Sequence, residues 1–235
     1  MKFKNLLYSS LFTLFIIVIF NGCAAVSFMG TNYNVAKFDY SLTSVERPAD
    51  AKERYGEQIV EKYNPQDSSK FNYIFEDGLV KILWLPAQEG FYFQIYNKTD
   101  NSIKVIWDEA VFVDQNNKSH RIMHTGIKYS EGENPQPPSV IIRKGFIDEF
   151  AAPTDYAYFY RGYSSQYIYD PSEWRRIPLL NYKNEAKEEA EYDAKQVVGK
   201  KLQLLLPLEI QGTVSEYIFE FTATDFKIVQ EKQLN

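Results

Sequence analysis

The feature that most constrains the fold is the alternation of apolar and polar positions in short runs between residues 71 and 124. Phe91, Phe93 and Ile95, for example, alternate with two tyrosines and a glutamine, and a polar turn follows directly. A period of two is that of a β-strand with one buried face. Asp77-Gly78, between two such runs, is a strong signal for a tight hairpin turn. Short strands separated by turns in this way predict an antiparallel β-sandwich.

The C-terminal part repeats the pattern around a second turn at Gln211-Gly212. Alternating leucines at 202–206 precede this turn and alternating aromatic residues at 217–221 follow it, so the two runs are expected to pair as a hairpin. In residues 184–198, alanines recur at every fourth position among charged residues. This spacing predicts one inserted surface helix that rests on the sandwich through a narrow face.

Two further stretches are less regular. Asp108-Glu109 lies between the apolar runs 103–107 and 111–113, where we expect a bulge or a slight bend. Residues 23–68 are polar and interrupted by prolines, and we interpret them as a lead-in to a sandwich domain of residues 69–235. The lead-in is either a tether or a segment packed on the sandwich, and residues 49–63 within it are compatible with a short helix.

The N-terminus combines a short basic segment, an apolar segment and a cluster of small residues around a cysteine. Lys2 and Lys4 come first, the apolar run extends to Phe20, and Gly22 and Cys23 follow. Residues 1–25 resemble the signal peptide of bacterial lipoproteins. The resemblance implies that residues 1–22 are removed and that Cys23, the only cysteine of the chain, carries a diacylglyceryl group on its sulfur.

The same resemblance implies a location in the cell envelope. Ala24 stands where an aspartate would retain an enterobacterial lipoprotein in the inner membrane, so the chain would pass to an outer membrane if the host has one. Two alternatives remain open: an uncleaved transmembrane helix over residues 6–29, which is long enough to span a bilayer, and an ordinary secretory signal. All three place the rest of the chain outside the cytoplasm, where it would hold no internal disulfide.

The charge of the chain limits its partners. It has 26 basic and 31 acidic residues, and removal of residues 1–22 takes away two of the basic ones, Lys2 and Lys4. An acidic exported domain is a poor candidate for binding nucleic acid or anionic lipid headgroups. We therefore expect no nucleic-acid partner and a membrane contact made through the N-terminal lipid.

An unusually aromatic stretch between residues 155 and 176 is the candidate contact surface. Arginines accompany its rings, and Tyr, Trp and Arg dominate binding hot spots. We expect about half of the rings to fill the sandwich core and the others to be available for a protein or a glycan. The candidate residues are Tyr156, Tyr158, Tyr160, Tyr163, Tyr167, Tyr169 and Trp174. The proline-containing loop 129–138 is a second exposed element that would flank this surface.

No motif of catalysis or of cofactor binding stands out. His120 and His124 are the two histidines; on a strand they would share one face, and we expect them to be half-exposed strand residues rather than metal ligands. The adjacent acids Asp108 and Glu109 would face opposite sides of a strand and do not form a glycosidase pair. We predict no cofactor, no metal site and no enzymatic activity; the alternative is a hydrolase of envelope polymers whose acidic residues are dispersed in the sequence.

Residues 97–113 and 120–129 show a faint similarity to small bacterial lipoproteins with an Ig-like β-sandwich. This similarity implies no active site. The sequence thus predicts a mainly β, Ig-like antiparallel sandwich with one inserted surface helix. The expected protein is lipid-anchored, is not an enzyme, and binds an envelope protein or a glycan.

Overall fold

A computed structural model describes residues 31–63, 72–164 and 169–233. The predicted signal peptide, residues 1–22, lies outside the described residues, as do Cys23 and Tyr167. Within the described ranges, no helix is long and apolar enough to cross a membrane.

Strands dominate the described part of the chain. In chain order they are β1 (Thr31–Glu46), β2 (Ile59–Lys62), β3 (Tyr73–Glu76), β4 (Val80–Ala87), β5 (Gly90–Asn97), β6 (Ile103–Val105), β7 (Val111–Val113), β8 (Ser119–His124), β9 (Ser139–Ile141), β10 (Phe146–Pro153), β11 (Ala157–Tyr160), β12 (Tyr163–Ser164), β13 (Tyr169–Asp170), β14 (Glu173–Arg176), β15 (Lys183–Asn184), β16 (Lys201–Ile210) and β17 (Thr213–Gln233). The α-helices are α1 (Ala51–Tyr55) and α2 (Lys187–Lys195). Single 3-10 turns occur at Trp107–Glu109, Tyr129–Glu131 and Thr154–Tyr156.

Thirteen strands form one antiparallel sheet whose two halves are layers of a sandwich. One layer has the order β15-β1-β17-β16-β7, with β6 also paired to β16 and β9 to β6. The other has the order β8-β10-β5-β4-β3-β2, and the pairing of β7 with β8 joins the two. Each pair in the sheet is antiparallel, which confirms the predicted fold class.

Aromatic rings from the two layers meet in the core. Trp84 of β4 lies 4.6 Å from Phe219 of β17, measured between ring centroids, and Phe91 of β5 stacks on Phe221 at 4.4 Å. These four side chains are almost completely buried. Burial of such rings contributes about 1.5–3 kcal/mol each, so the alternating apolar positions at 82–95 and 217–221 hold the layers together.

The predicted hairpin is present, but its turn lies one residue later, at Gly78-Leu79, because the N–H of Asp77 donates to the carbonyl of Val80. Asp77 and Gly78 each have a specific role. The carboxylate oxygen Oδ1 of Asp77 accepts hydrogen bonds from the backbone N–H groups of Leu79 and Val80. A β-carbon on Gly78 would lie 2.5 Å from the carbonyl oxygen of Tyr55. The turn therefore requires glycine because α1 packs directly against it. The second predicted hairpin, β16 with β17, is also present.

The described part of the lead-in belongs to the sandwich and is not a tether. Strand β1 pairs with β17 from Thr31 to Glu46, and the side-chain amide of Gln88 bonds both the N–H and the carbonyl of Phe38 at 2.9 and 2.5 Å. The helix allowed at 49–63 is shorter, because α1 ends at Tyr55 and the chain continues as β2.

The bend and the inserted helix lie close to their predicted positions. Trp107 begins a 3-10 turn, and beyond it Phe112 is buried whereas Val111 and Val113 are half-buried. The turn thus shifts the inward-facing positions by one residue. Helix α2 buries Ala190 and Ala194 on the sandwich, as the spacing of the alanines predicts.

Candidate functional site

The aromatic segment forms an antiparallel ribbon that projects from the sandwich. Strand β11 pairs with β14, and β12 with β13, and neither pair is part of the large sheet. The ribbon, residues 157–164 and 169–176, follows the 3-10 turn Thr154–Tyr156, and its two ends are joined where the N–H of Ile177 donates to the carbonyl of Tyr156 at 2.7 Å. The candidate contact residues are therefore carried on an element of their own.

Most of the predicted contact rings are exposed. The exposed fraction is 42% for Tyr158, 53% for Tyr163, 78% for Tyr169 and 40% for Trp174. The expectation that about half of the rings fill the core is wrong for the described residues, because the ribbon lies outside the sandwich. Tyr156 alone among the described candidates packs against the core, at its edge.

The ribbon presents two different faces. On one, the guanidinium of Arg175 lies 3.7 Å from the centre of the Tyr160 ring, a cation–π contact. The hydroxyl of Tyr160 donates to Asp170 at 2.5 Å, and this hydrogen bond raises the pKa of Tyr160. On the other, Phe159 and Trp174 form an edge-to-face pair with centroids 5.6 Å apart. The rings are thus held in defined positions although water reaches them.

The second face continues onto the sandwich as a set of aromatic side chains and one arginine, which we call the aromatic track. Trp174 stacks on Tyr129, with centroids 5.5 Å apart. Arg176 donates through Nε to the hydroxyl of Tyr129, and its guanidinium lies 4.0 Å from the centre of the Phe150 ring. The track comprises the connected group Phe159, Trp174, Tyr129, Arg176, Phe150 and Tyr92, and a separate stacked pair, Phe146 and Tyr96, farther along β10 and β5.

Sequence reasoning did not assign the sandwich part of the track to the contact surface. Tyr92 and Tyr96 lie on the outer face of β5, whereas Phe91 points into the core. Aromatic residues at successive positions of one strand were the sequence signal for rings on both of its faces. Their partners come from β10, where Phe146 and Phe150 lie across from Tyr96 and Tyr92. The loop residue Tyr129 does flank the ribbon, as expected.

The first face of the ribbon borders a groove of about 450 Å³. The opposite wall is formed by the beginning of β1 and the end of β17, including Tyr33 and Lys232. The groove is lined by Tyr33, Val35, Tyr158, Arg175, Arg176, Ile177, Pro178, Asn181, Lys183, Glu231 and Lys232. Its volume is typical of small-ligand sites, which range from about 300 to 1,000 Å³.

His120 connects the base of the ribbon to the sandwich. Its Nδ1 donates to the carboxylate of Asp155, with a distance of 2.8 Å to Oδ2. Its Nε2 lies 3.4 Å from Oδ2 of Asp114, close enough for a charge interaction but not aligned as a hydrogen bond. Burial, together with these two carboxylates, raises the pKa of Tyr156 to about 12. The carboxylates hold the imidazole from both sides.

His124 has a different environment on the same face of β8. Its ring stacks on Trp107, with centroids 4.2 Å apart and an interplanar angle of 8°, and its Nδ1 lies 3.5 Å from Oε2 of Glu149. The indole N–H of Trp107 donates to Ser139, whose hydroxyl donates to Glu149. Both histidines are buried, so the prediction that they are half-exposed is wrong. Within the described ranges, no cluster of His, Cys, Asp and Glu is arranged to hold a metal ion.

No protein-family model matches this sequence, and no curated protein or solved structure is significantly similar to it. The faint similarity to Ig-like lipoproteins therefore stays a prediction.

Proposed function

We propose that this chain is a lipid-anchored protein of the bacterial cell envelope that binds a protein or glycan partner and is not an enzyme. The observation that carries the proposal is the exposure of five large aromatic side chains on a ribbon outside the sandwich. They are Tyr158, Phe159, Tyr163, Tyr169 and Trp174. Exposed apolar surface costs solubility and commonly marks a binding site.

The positions of these rings also support binding. An exposed ring that is already held by its neighbours loses little conformational freedom when a partner docks. Trp174 is held between Phe159 and Tyr129, and Tyr160 is held by Arg175 and Asp170. A surface fixed in this way suits a partner that is recognised by contact rather than transformed.

The anchoring part of the proposal depends on the sequence of residues 1–25. Strand β1 begins at Thr31, eight residues after Cys23. A chain of that length spans at most about 30 Å when it is extended. A lipid on Cys23 would therefore keep the sandwich close to the membrane, within the space where envelope proteins and polymers meet.

Photo-crosslinking from native membranes would test the proposal. A photoreactive phenylalanine analogue replaces Tyr169 on the ribbon or, as a matched control, Tyr192 on α2, which is also a largely exposed tyrosine. We expect a discrete crosslinked partner from position 169 that is absent from position 192 and is lost when Trp174 is changed to Ala. The same products from both positions, or products from position 192 alone, would contradict the ribbon as the contact surface.

A further inference from the structure

The groove beside the ribbon differs in charge from the rest of this acidic chain. The residues that line it include Arg175, Arg176, Lys183 and Lys232, which are cationic, and one acidic residue, Glu231. Glu231 is itself engaged by Lys37, at 2.8 Å. The groove is therefore a local positive site on a protein of net negative charge.

Not all of this positive charge is compensated within the protein. Arg175 is paired with Glu173 at 2.9 Å and with Asp170 at 3.6 Å. The guanidinium of Arg176 lies against Tyr129 and Phe150, on the other face of the ribbon, so its charge is not counted toward the groove. Lys232 forms no ion pair with any described residue. Its ammonium group is therefore available to an anion that enters the groove.

Aromatic surface accompanies the charge. Tyr33 stands on one wall and Tyr158 on the other, and the ammonium of Lys183 lies 4.9 Å from the centre of the Tyr33 ring. Aromatic faces stack against the C–H faces of sugar rings, whereas Lys and Arg bind carboxylate and phosphate groups. At physiological ionic strength, charges farther away than about 8 Å are largely screened. The electrostatic potential inside the groove is therefore set by the residues that line it and not by the net charge of the chain.

From this combination we infer that the groove binds a segment of an anionic glycan, a sugar chain that bears carboxylate or phosphate groups. The inference rests on the proposed binding function and names its ligand class. Concave walls favour a narrow chain over a bilayer, since a flat lipid surface would meet the rim of the groove and not its lining. The two rings favour a sugar over an acidic peptide.

Binding of polygalacturonate by the full chain in a non-ionic detergent would test the inference. Its fully methyl-esterified form is the matched probe, because it keeps the sugar backbone and loses the charges. We expect the charged polymer to bind more tightly, with an affinity that falls as salt is raised. The double variant K183Q/K232Q should weaken binding about fivefold, the size expected for exposed charge contacts, whereas K200Q, which alters an exposed lysine outside the groove, should have no effect.

The other ligand classes are outcomes of the same experiment. Equal binding of poly-glutamate would show a simple charge patch, and stronger binding to phosphatidylglycerol vesicles than to polygalacturonate would show a headgroup site; either result overturns the inference. Absence of polygalacturonate binding also overturns it, while a crosslinked partner at position 169 would leave the proposed function standing. If neither polygalacturonate binding nor a crosslinked partner at position 169 is observed, both the glycan inference and the proposed binding function are wrong.

Discussion

The imidazole Nδ1 of His120 lies 2.8 Å from the carboxylate of Asp155, and this contact fixes the base of the ribbon to strand β8. Asp155 immediately precedes Tyr156, whose ring meets that of His120 edge to face with centroids 5.1 Å apart. The side chain of His120 is almost completely buried between Asp155 and Asp114. The orientation of the binding element thus depends on a small polar cluster at the edge of the core.

This cluster predicts a loss of stability in acid. Burial alone would raise the pKa of Asp114, but hydrogen bonds from the N–H groups of Lys118 and Asn116, together with His120, outweigh it and lower the pKa. A carboxyl whose folded pKa is lowered stabilises the fold above its unfolded pKa of about 3.8 and loses that contribution as the pH falls through the folded value.

We expect the free energy of unfolding in urea to fall steadily below about pH 4 and to fall less steeply in Asp114→Asn than in the wild-type chain. The pKa of Glu220 is also lowered, because hydrogen bonds from Lys201 and Gln203 outweigh the effect of burial. The free energy of unfolding of the Asp114→Asn variant should therefore still decrease in acid. An unchanged slope in Asp114→Asn would show that the cluster has no part in acid stability.

Truncation of single rings should divide the aromatic residues into two classes. Changing Tyr158, Tyr163 or Tyr169 to Ala should cost within about 0.5 kcal/mol, as for ordinary surface positions. Phe91→Ala, in the core, should cost about 3–5 kcal/mol. Urea denaturation measures both, and a cost above about 2 kcal/mol at each ribbon position would mean that the ribbon is part of the folding core.

The buried pair of His124 and Glu149 should couple in stability. His124→Phe keeps a ring against Trp107 but leaves the carboxylate of Glu149 buried without its neighbour, a cost of about 1–3 kcal/mol. Adding Glu149→Gln should restore most of the loss, because the buried charge is gone. A double-mutant cycle in urea measures this, and strictly additive effects would show that the two side chains act independently.

Lipidation of Cys23 is the most direct prediction from the N-terminus. Cys23→Ser should abolish both the partitioning of the protein into a detergent phase and its labelling by a radioactive fatty acid. A serine variant that stays in the membrane at its full, uncleaved length would instead support the transmembrane helix over residues 6–29.

Much of the sandwich was predictable because its signals are local. Asp77-Gly78 and the alternation around Phe91 specify a turn and a buried strand face without reference to distant residues. Strand β1 carries a similar alternation, in which Ala36, Phe38 and Tyr40 are buried. The polar residues around this run favour a lead-in, so the sequence alone does not indicate that β1 pairs with β17.

The site was harder to predict because its context is tertiary. The aromatic residues of the ribbon are spaced like those of a buried pair of strands. No local sequence feature indicates that this segment lies outside the sandwich. His120 is bonded to Asp155, thirty-five residues away along the chain, and the groove combines the two ends of the described chain. Contacts of this kind depend on how distant segments are brought together.

The pairing of β1 with β17 has a consequence for how the chain matures. The first described strand finds its partner only in the last, so it cannot complete its hydrogen bonds until nearly the whole sandwich has been synthesised. Until then, a strand of sixteen residues has only the two-residue β15 as a neighbour in its layer, and an unpaired edge of that length invites wrong association. Such long-range pairing also slows folding. Closure of this fold is therefore a late event in folding, and β1 stays an open edge until β17 is available.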